Sequence, residues 1–471
     1  MKNKQDILQW IVENQKLFTD MSDAIWEKPE TIWHEFFASK LQADFLEAEG
    51  FSIKKNLAGM KTAFLAEWGT AKPILGFAGE YDALHGLSQK NQTSQEPVSV
   101  GSPGHGCGHN LLGTACLASA VAVKKWLETN KLPGTVRYYG CPAEEGGNGK
   151  TFMAREGLFD DLDAAFNFHP MYTNMAMKGS MVGIYKVSFN FQGKSAHAGG
   201  SPHLGRSALD AVELMNVGVN YLREHVLDNV RMHYIITKGG DAPNIVPAEA
   251  ESLYFIRAHQ PDDLEDVYRR VKLIAEGAAL MTETEVNVIF RGAASSVLSN
   301  HVLADLQYDA MQLIGPIEYT PEEIAFAEEI NNAYPKENMA GIAQVFGVPS
   351  DKIGMHLIGE NFPSLDEGGV MTGSTDVGDM SRKVPLSMLL TACWPTAAPA
   401  HSWGVVATGA MSIGHKGMLH AAKTMALAAM DCFSDPQLLA KVRQEFEEES
   451  QKNPYQCPIP DDLYPPQIEE A

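Results

Sequence analysis

Apolar residues recur with two different periods along the chain, and the alternation between them outlines the fold. Ile7, Leu8, Ile11 and Val12 fall at helical spacing among polar residues and predict an N-terminal helix. Phe36, Phe37, Leu41, Phe45 and Leu46 follow the same period and predict a second amphipathic helix ending near Gly50. The short apolar runs "TAFLAEWG" and "PILGFAGEYDAL" are separated by a Gly-Thr-Ala-Lys turn and are expected to be neighbouring strands. Residues 110–130, "NLLGTACLASAVAVKKWLETN", predict a long helix whose small residues suit close packing on a sheet. The runs "TVRYYGC" and "AAFNFHP" predict two further buried strands. Strand, helix, strand, helix is the rhythm of an open α/β sheet, in which ligands gather beyond the carboxyl ends of the strands. Glu144, Glu145 and His169 fall at such ends.

Near residue 184 the order becomes strand, helix, strand, strand, helix, strand: "GIYKVSFNFQG", "GRSALDAVELMNVGVNYLREH", "RMHYIIT", "AEAESLYFIRA", "DDLEDVYRRVKLIAEGAALM", "TEVNVIF". That is the ferredoxin-like order. Residues 184–296 are therefore expected to form a compact α+β unit inserted into a larger α/β domain made of residues 1–183 and 297–471. A helix over 302–313 brings the chain back, and residues 315–370, rich in Pro, Gly, Asn and acids, carry no clear period.

At 471 residues the chain has room for more than one core. Its 37 basic and 59 acidic residues leave a net charge of −22, which repels phosphate backbones and anionic headgroups, so neither nucleic acid nor a membrane surface is an expected partner. An anionic substrate would need a few local cations to hold it. No run reaches membrane-spanning length, and six scattered cysteines without a CxxC pair suit a reducing compartment, so the cytoplasm is expected.

The candidate chemistry lies in "GHGCGHNLLGT" and "YGCPAEEGGNGKTF". Glycines 104, 106 and 108 let the backbone fold tightly enough for Cys107 and His109 to point the same way, at the start of a helix that favours a thiolate. Glu144 and Glu145 are adjacent at a strand end, so one can bind a metal while the other faces substrate. Each feature also has a plain structural explanation: a glycine turn, an exposed charged turn, core histidines at His169 and His401. Thiol, imidazoles and carboxylates together at sheet ends make a metal centre the better account. A thiol nucleophile has no single imidazole set up as its base.

The segments "GHGCGHNLLGT", "YGCPAEEGG", "FHP", "GKSAHAGGSPHLGRSALDAV", "NIVPAEAE" and "AHSW" resemble the metal-dependent amidohydrolase and carboxypeptidase family that contains hippurate hydrolase, indoleacetyl-amino acid hydrolases and succinyl-diaminopimelate desuccinylase. The resemblance implies a mixed-sheet catalytic domain of zinc-peptidase type, with the inserted unit as a lid and dimerisation domain. It implies two divalent ions, zinc or manganese, on Cys107, His109, Glu145, His169 and His401. Glu144 would be the general base and His197 a second catalytic group. Asn244 and Arg257 would bind substrate, and His197 and Asn244 would come from the inserted domain of a second subunit. Glu80 and Asp82 would support the ligands from behind. Asn110 stands where an aspartate follows the "CGH" of many relatives, and Ser374–Asp379 where others carry Glu-Asp-Phe; both departures bear on the second metal's surroundings. The implied activity is hydrolysis of an aroyl- or acyl-glutamate, p-aminobenzoyl-glutamate foremost, by a homodimer or a heterodimer with a related subunit. A deacylase of other N-acyl-amino acids or a dipeptidase shares the chemistry. A non-catalytic metal-binding partner subunit would have no use for Glu144.

Overall fold

In the computed structural model, which describes residues 4–339, 348–364 and 368–470, four parallel strands form the centre of the molecule. They are β3 (Ile74–Glu80), β4 (Thr135–Cys141), β5 (Ala164–Met171) and β14 (Leu386–Ala392). Their residues are buried almost throughout, the pattern expected of parallel strands covered on both faces. The complete sheet has the order β1-β2-β4-β3-β5-β14-β6-β12, with β1 (Ser52–Lys55), β2 (Phe64–Gly69), β6 (Asn174–Ala176) and β12 (Asn361–Phe362) at its sides. The sheet is mixed: β1, β2 and β6 each have an antiparallel neighbour. A small parallel pair, β7 (Ser180–Met181) with β13 (Val370–Met371), lies apart from it.

β2 and β3 are not neighbours, contrary to the sequence expectation. β4 runs between them, with Thr135 paired to Gly69 on one side and Ile74 on the other. The reason is the connection that follows β3: the helix His109–Asn130 returns the chain to lay β4 parallel to β3, and the link after β2 steps across the end of β4, where Thr135 Oγ1 donates to Ala71 O at 2.8 Å. A helix Gln15–Glu27, absent from the periodicity reading, buries Phe18, Met21 and Ile25. Within 315–370 the chain forms the helix Pro321–Asn331, opened by a Thr320/Glu323 capping box; residues 340–347 and 365–367 of that stretch lie outside the described ones.

The inserted unit has β8 (Gly183–Gln192), β9 (Arg231–Lys238), β10 (Glu249–Ala258) and β11 (Glu285–Ala294) in the order β11-β8-β10-β9, all antiparallel. The helices Ala208–Leu222 and Pro261–Thr282 cover one face and share a core with Val187, Phe189, Phe191, Tyr254 and Ile256. The other face carries Lys186, Ser188, Asn190, Glu251 and Arg257 together with the apolar Ile184, Leu253 and Phe255. Among the described residues no helix is long and apolar enough to cross a membrane.

Candidate metal centre

Cys107 sits two residues before the helix His109–Asn130, on a turn that only glycine permits at two places. Gly108 has φ +74°, and a side chain at Gly106 would press on Leu87 and on the backbone of His401. This close approach brings His401, whose N–H donates to Gly106 O at 2.9 Å, onto the Cys107 turn. His169 arrives from the end of β5, and the Glu144–Glu145 pair from the loop after β4.

Among the described residues three sets of potential ligand atoms result, two of them built on Cys107. In one, Cys107 stands with His109 and His169; in the other, Cys107 stands with Glu145 and His401. The thiol is thus common to both. Cys107 Sγ is 3.3 Å from His169 Nε2, and His401 Nε2 is 3.4 Å from Glu145 Oε2. The histidine tautomers follow from their other contacts, because the facing oxygens can only accept. His109 Nδ1 donates to Asp82 Oδ1 at 2.9 Å, and His169 Nδ1 donates to Pro170 O at 2.7 Å. Each Nε2 lone pair is left for a cation, the arrangement that fixes and strengthens a metal-binding imidazole. Asp82 also accepts the N–H of Glu145 at 2.9 Å, so one buried carboxylate orients two of the expected ligands.

The residues suit a divalent ion. His109 Nε2 and Glu145 Oε1 are buried with no hydrogen-bond partner. Burial pushes the Glu145 carboxyl up to about 8, with Glu144 and Asp82 adding to the rise, and pushes the Cys107 thiol well above its ordinary value. A nearby cation would reverse both effects and hold carboxylate and thiolate as anions.

Glu144 turns away from Glu145 and groups with Glu80 and His109 instead. Glu80, expected beside Asp82 as a support, lies at the other nitrogen of His109, 3.3 Å from Nε2, and its second oxygen is 2.7 Å from Lys150 Nζ. Sequence reasoning missed Lys150. The first turn of the helix Gly149–Arg155 carries it inward, fully buried, where it bridges Glu80 and Asp376 at 2.7 and 2.6 Å. The Ser374–Asp379 segment thus meets the site through Lys150, while Asp379 binds Thr151, Ser295 and Tyr455. Asn110 donates to Ser22 Oγ and Gly409 O, and among the described residues it has no hydrogen bond to the cluster. Replacing Lys150 by Met would strand two buried carboxylates, so unfolding free energy measured in urea should fall by about 3–5 kcal/mol. A loss below about 1 kcal/mol would mean that the cation is dispensable there.

The remaining expected residues lie on the inserted unit. His197 is exposed, with its Nδ1 accepting from Gly199 and Gly200 N–H at 3.2 and 2.9 Å. Asn244 is exposed and its carbonyl accepts from Ala198 N–H. Neither has a hydrogen bond or ion pair to the cluster among the described residues. Arg257 donates to Thr372 O and Ser374 Oγ at 3.1 and 3.2 Å.

Residues 76–404 match the model of peptidase family M20/M25/M40. The chain is 46% identical to a subunit of the p-aminobenzoyl-glutamate hydrolase of Escherichia coli over 97% of both chains. It is 29% identical to the mouse Xaa-Arg dipeptidase over 90% of this chain and 88% of that one. In fold it is similar to a Bacillus subtilis protein described as a dinuclear metal binding peptidase from the M20 family, with a TM-score of 0.59 at 16% identity, covering 89% of this chain and 98% of that one. Every residue of the thiol, imidazole and carboxylate cluster, together with the whole inserted unit, falls inside the matched span, and the chain belongs to peptidase family M20/M25/M40, hydrolases of amide bonds.

Proposed function

We propose that the chain is a metal-dependent hydrolase of aroyl-glutamate amides, and that p-aminobenzoyl-glutamate is its substrate, giving p-aminobenzoate and glutamate. The observation that carries this is the Cys107-centred cluster with Glu144 beside it, in a chain similar over 97% of its length to a hydrolase named for that compound. Cys107, His109, Glu145, His169 and His401 would hold two divalent ions, zinc or manganese, which when bound polarise the scissile carbonyl and acidify a water. Thiolate favours zinc, while imidazole and carboxylate accept either. Glu144 takes the proton from the attacking water and passes it to the leaving nitrogen. Arg257 binds the free carboxylate of the amino acid, for which a planar guanidinium is suited.

We read residues 184–296 as a lid and dimerisation domain that supplies His197 and Asn244 to a second subunit's site, where an imidazole and an amide can stabilise the tetrahedral oxyanion. In support, Val217 and Tyr221 on the helix Ala208–Leu222 are 50% and 74% exposed, and Ile235 and Ile236, on opposite faces of the edge strand β9, are 61% and 44% exposed, so apolar positions at this edge are open to cover by another chain. That chain is a second copy or a related subunit, as the word "subunit" in the relative's name suggests. All six cysteines are free thiols and five are buried, which fits a reducing, cytoplasmic setting.

Similarity to a dipeptidase makes dipeptide hydrolysis the second reading. Release of p-aminobenzoate and of amino acids should be followed on p-aminobenzoyl-glutamate and on dipeptides ending in arginine, with zinc or manganese present. The first reading expects the higher kcat/KM on p-aminobenzoyl-glutamate; a higher value on the dipeptides would replace it with the second.

A further inference from the structure

Two cations on the face of the inserted sheet opposite its helices have no carboxylate partner among the described residues. In β8 the strand alternation sends Val187, Phe189 and Phe191 into the unit's core and Lys186 to the opposite face. In β10 it sends Tyr254 and Ile256 inward and Arg257 outward. Lys186 pairs with Phe255, so Arg257 is its diagonal neighbour, at a spacing of about 7–8 Å between backbones. This face presses on the catalytic loop: a side chain at Gly292, which also pairs with Lys186, would meet Asn148 Oδ1 at 3.2 Å.

Lys186 is only 8% exposed, yet it donates to neutral oxygens alone, Gly146 O at 3.1 Å and Asn148 Oδ1 at 2.9 Å. Arg257 likewise donates to neutral oxygens, and its Nε is buried without a partner. Neither cation forms an ion pair among the described residues. Burying an ammonium or guanidinium without a counter-ion is costly, and a chain with 59 acidic residues has no shortage of carboxylates to supply one. Burial lowers the Lys186 pKa, and the charges of Glu144, Asp376 and Glu145 offset that only in part. An ammonium carries three N–H groups, and the two bonds of Lys186 leave one for a ligand.

We propose that Lys186 reads the side-chain carboxylate of the leaving amino acid while Arg257 takes its α-carboxylate, so that the paired cations select a dicarboxylic amino acid. The inference rests on the aroyl-glutamate reading above and adds the residue that would make glutamate the preferred leaving group. A competing role for Lys186, anchoring the Gly146–Asn148 backbone and nothing more, predicts a different outcome.

The test compares p-aminobenzoyl-glutamate with p-aminobenzoyl-glutamine, which differ only in the charge of that side chain, for the metal-loaded full chain and its Lys186→Met, Lys186→Gln and Lys186→Arg variants. Wild type should prefer the glutamate compound. Lys186→Met should cut that preference about 10- to 100-fold, the worth of one charge-assisted hydrogen bond, chiefly through a higher KM on the glutamate compound. Lys186→Arg should keep most of it. Lys186→Gln removes the charge while still able to donate to Gly146 O, and it carries the comparison if Lys186→Met does not fold. Equal loss on both compounds would overturn the inference in favour of the anchoring role, and so would a wild type indifferent between them. A wild type that cleaves neither compound would overturn the aroyl-glutamate reading itself and the inference with it.

Discussion

Glu144→Gln should retain its metal and lose about 10²–10⁴ in kcat, the contribution of a positioned general base. The expectation follows from how the loop after β4 divides its two acids. Glu145 is fixed by its N–H on Asp82, and its carboxylate stands with Cys107 and His401, so we assign it to the proposed ligand set. Glu144, one residue earlier, points to the other side and shares its surroundings with Glu80 and His109. The amide side chain of Gln has nearly the same shape as the carboxylate it replaces but cannot accept a proton at working pH, so the substitution isolates that function. Glu145→Gln should instead lower the metal retained after gel filtration. Metal analysis alongside single-turnover rates distinguishes the two. Metal lost from the Glu144 variant and kept by the Glu145 variant would exchange their roles.

The backbone that holds this pair explains why neighbouring acids can differ so much. Ala143 has φ +59°, and its N–H donates to Oε1 of Glu35, a wholly buried carboxylate that also accepts from Trp33 N–H and Thr62 Oγ1. Gly147 and Asn148 donate back to Ala143 O. The loop is therefore pinned from the N-terminal segment as well as from Asp82, and the directions of Glu144 and Glu145 are set by the fold around them.

Much of this was legible in the sequence because it is local. Buried parallel strands read as unbroken apolar runs, and the inserted unit's alternation of strand and helix carried its topology. The identities of the cluster residues were visible as well, since thiol, imidazole and carboxylate at strand ends have few other uses in common. What was not legible depends on distant partners. That β4 lies between β2 and β3 is decided by where a 22-residue helix returns the chain, which no local period records. Lys150 could not be told from a surface lysine until the helix Gly149–Arg155 turned it toward Glu80 and Asp376. Asn110 looked like a change at a metal, whereas its amide joins the helix Gln15–Glu27 to Gly409. Lys186 is an ordinary residue of an alternating strand until the register sets it beside Arg257.

Removal and return of the metal tests the central claim most directly, since five side chains from four separate parts of the chain converge with no other shared purpose. Protein dialysed against a chelator, shown by metal analysis to be empty and by circular dichroism to be folded, should not release p-aminobenzoate from p-aminobenzoyl-glutamate. Adding zinc or manganese should restore the reaction, with activity saturating near two ions per chain. Undiminished turnover by folded, metal-free protein would contradict the account.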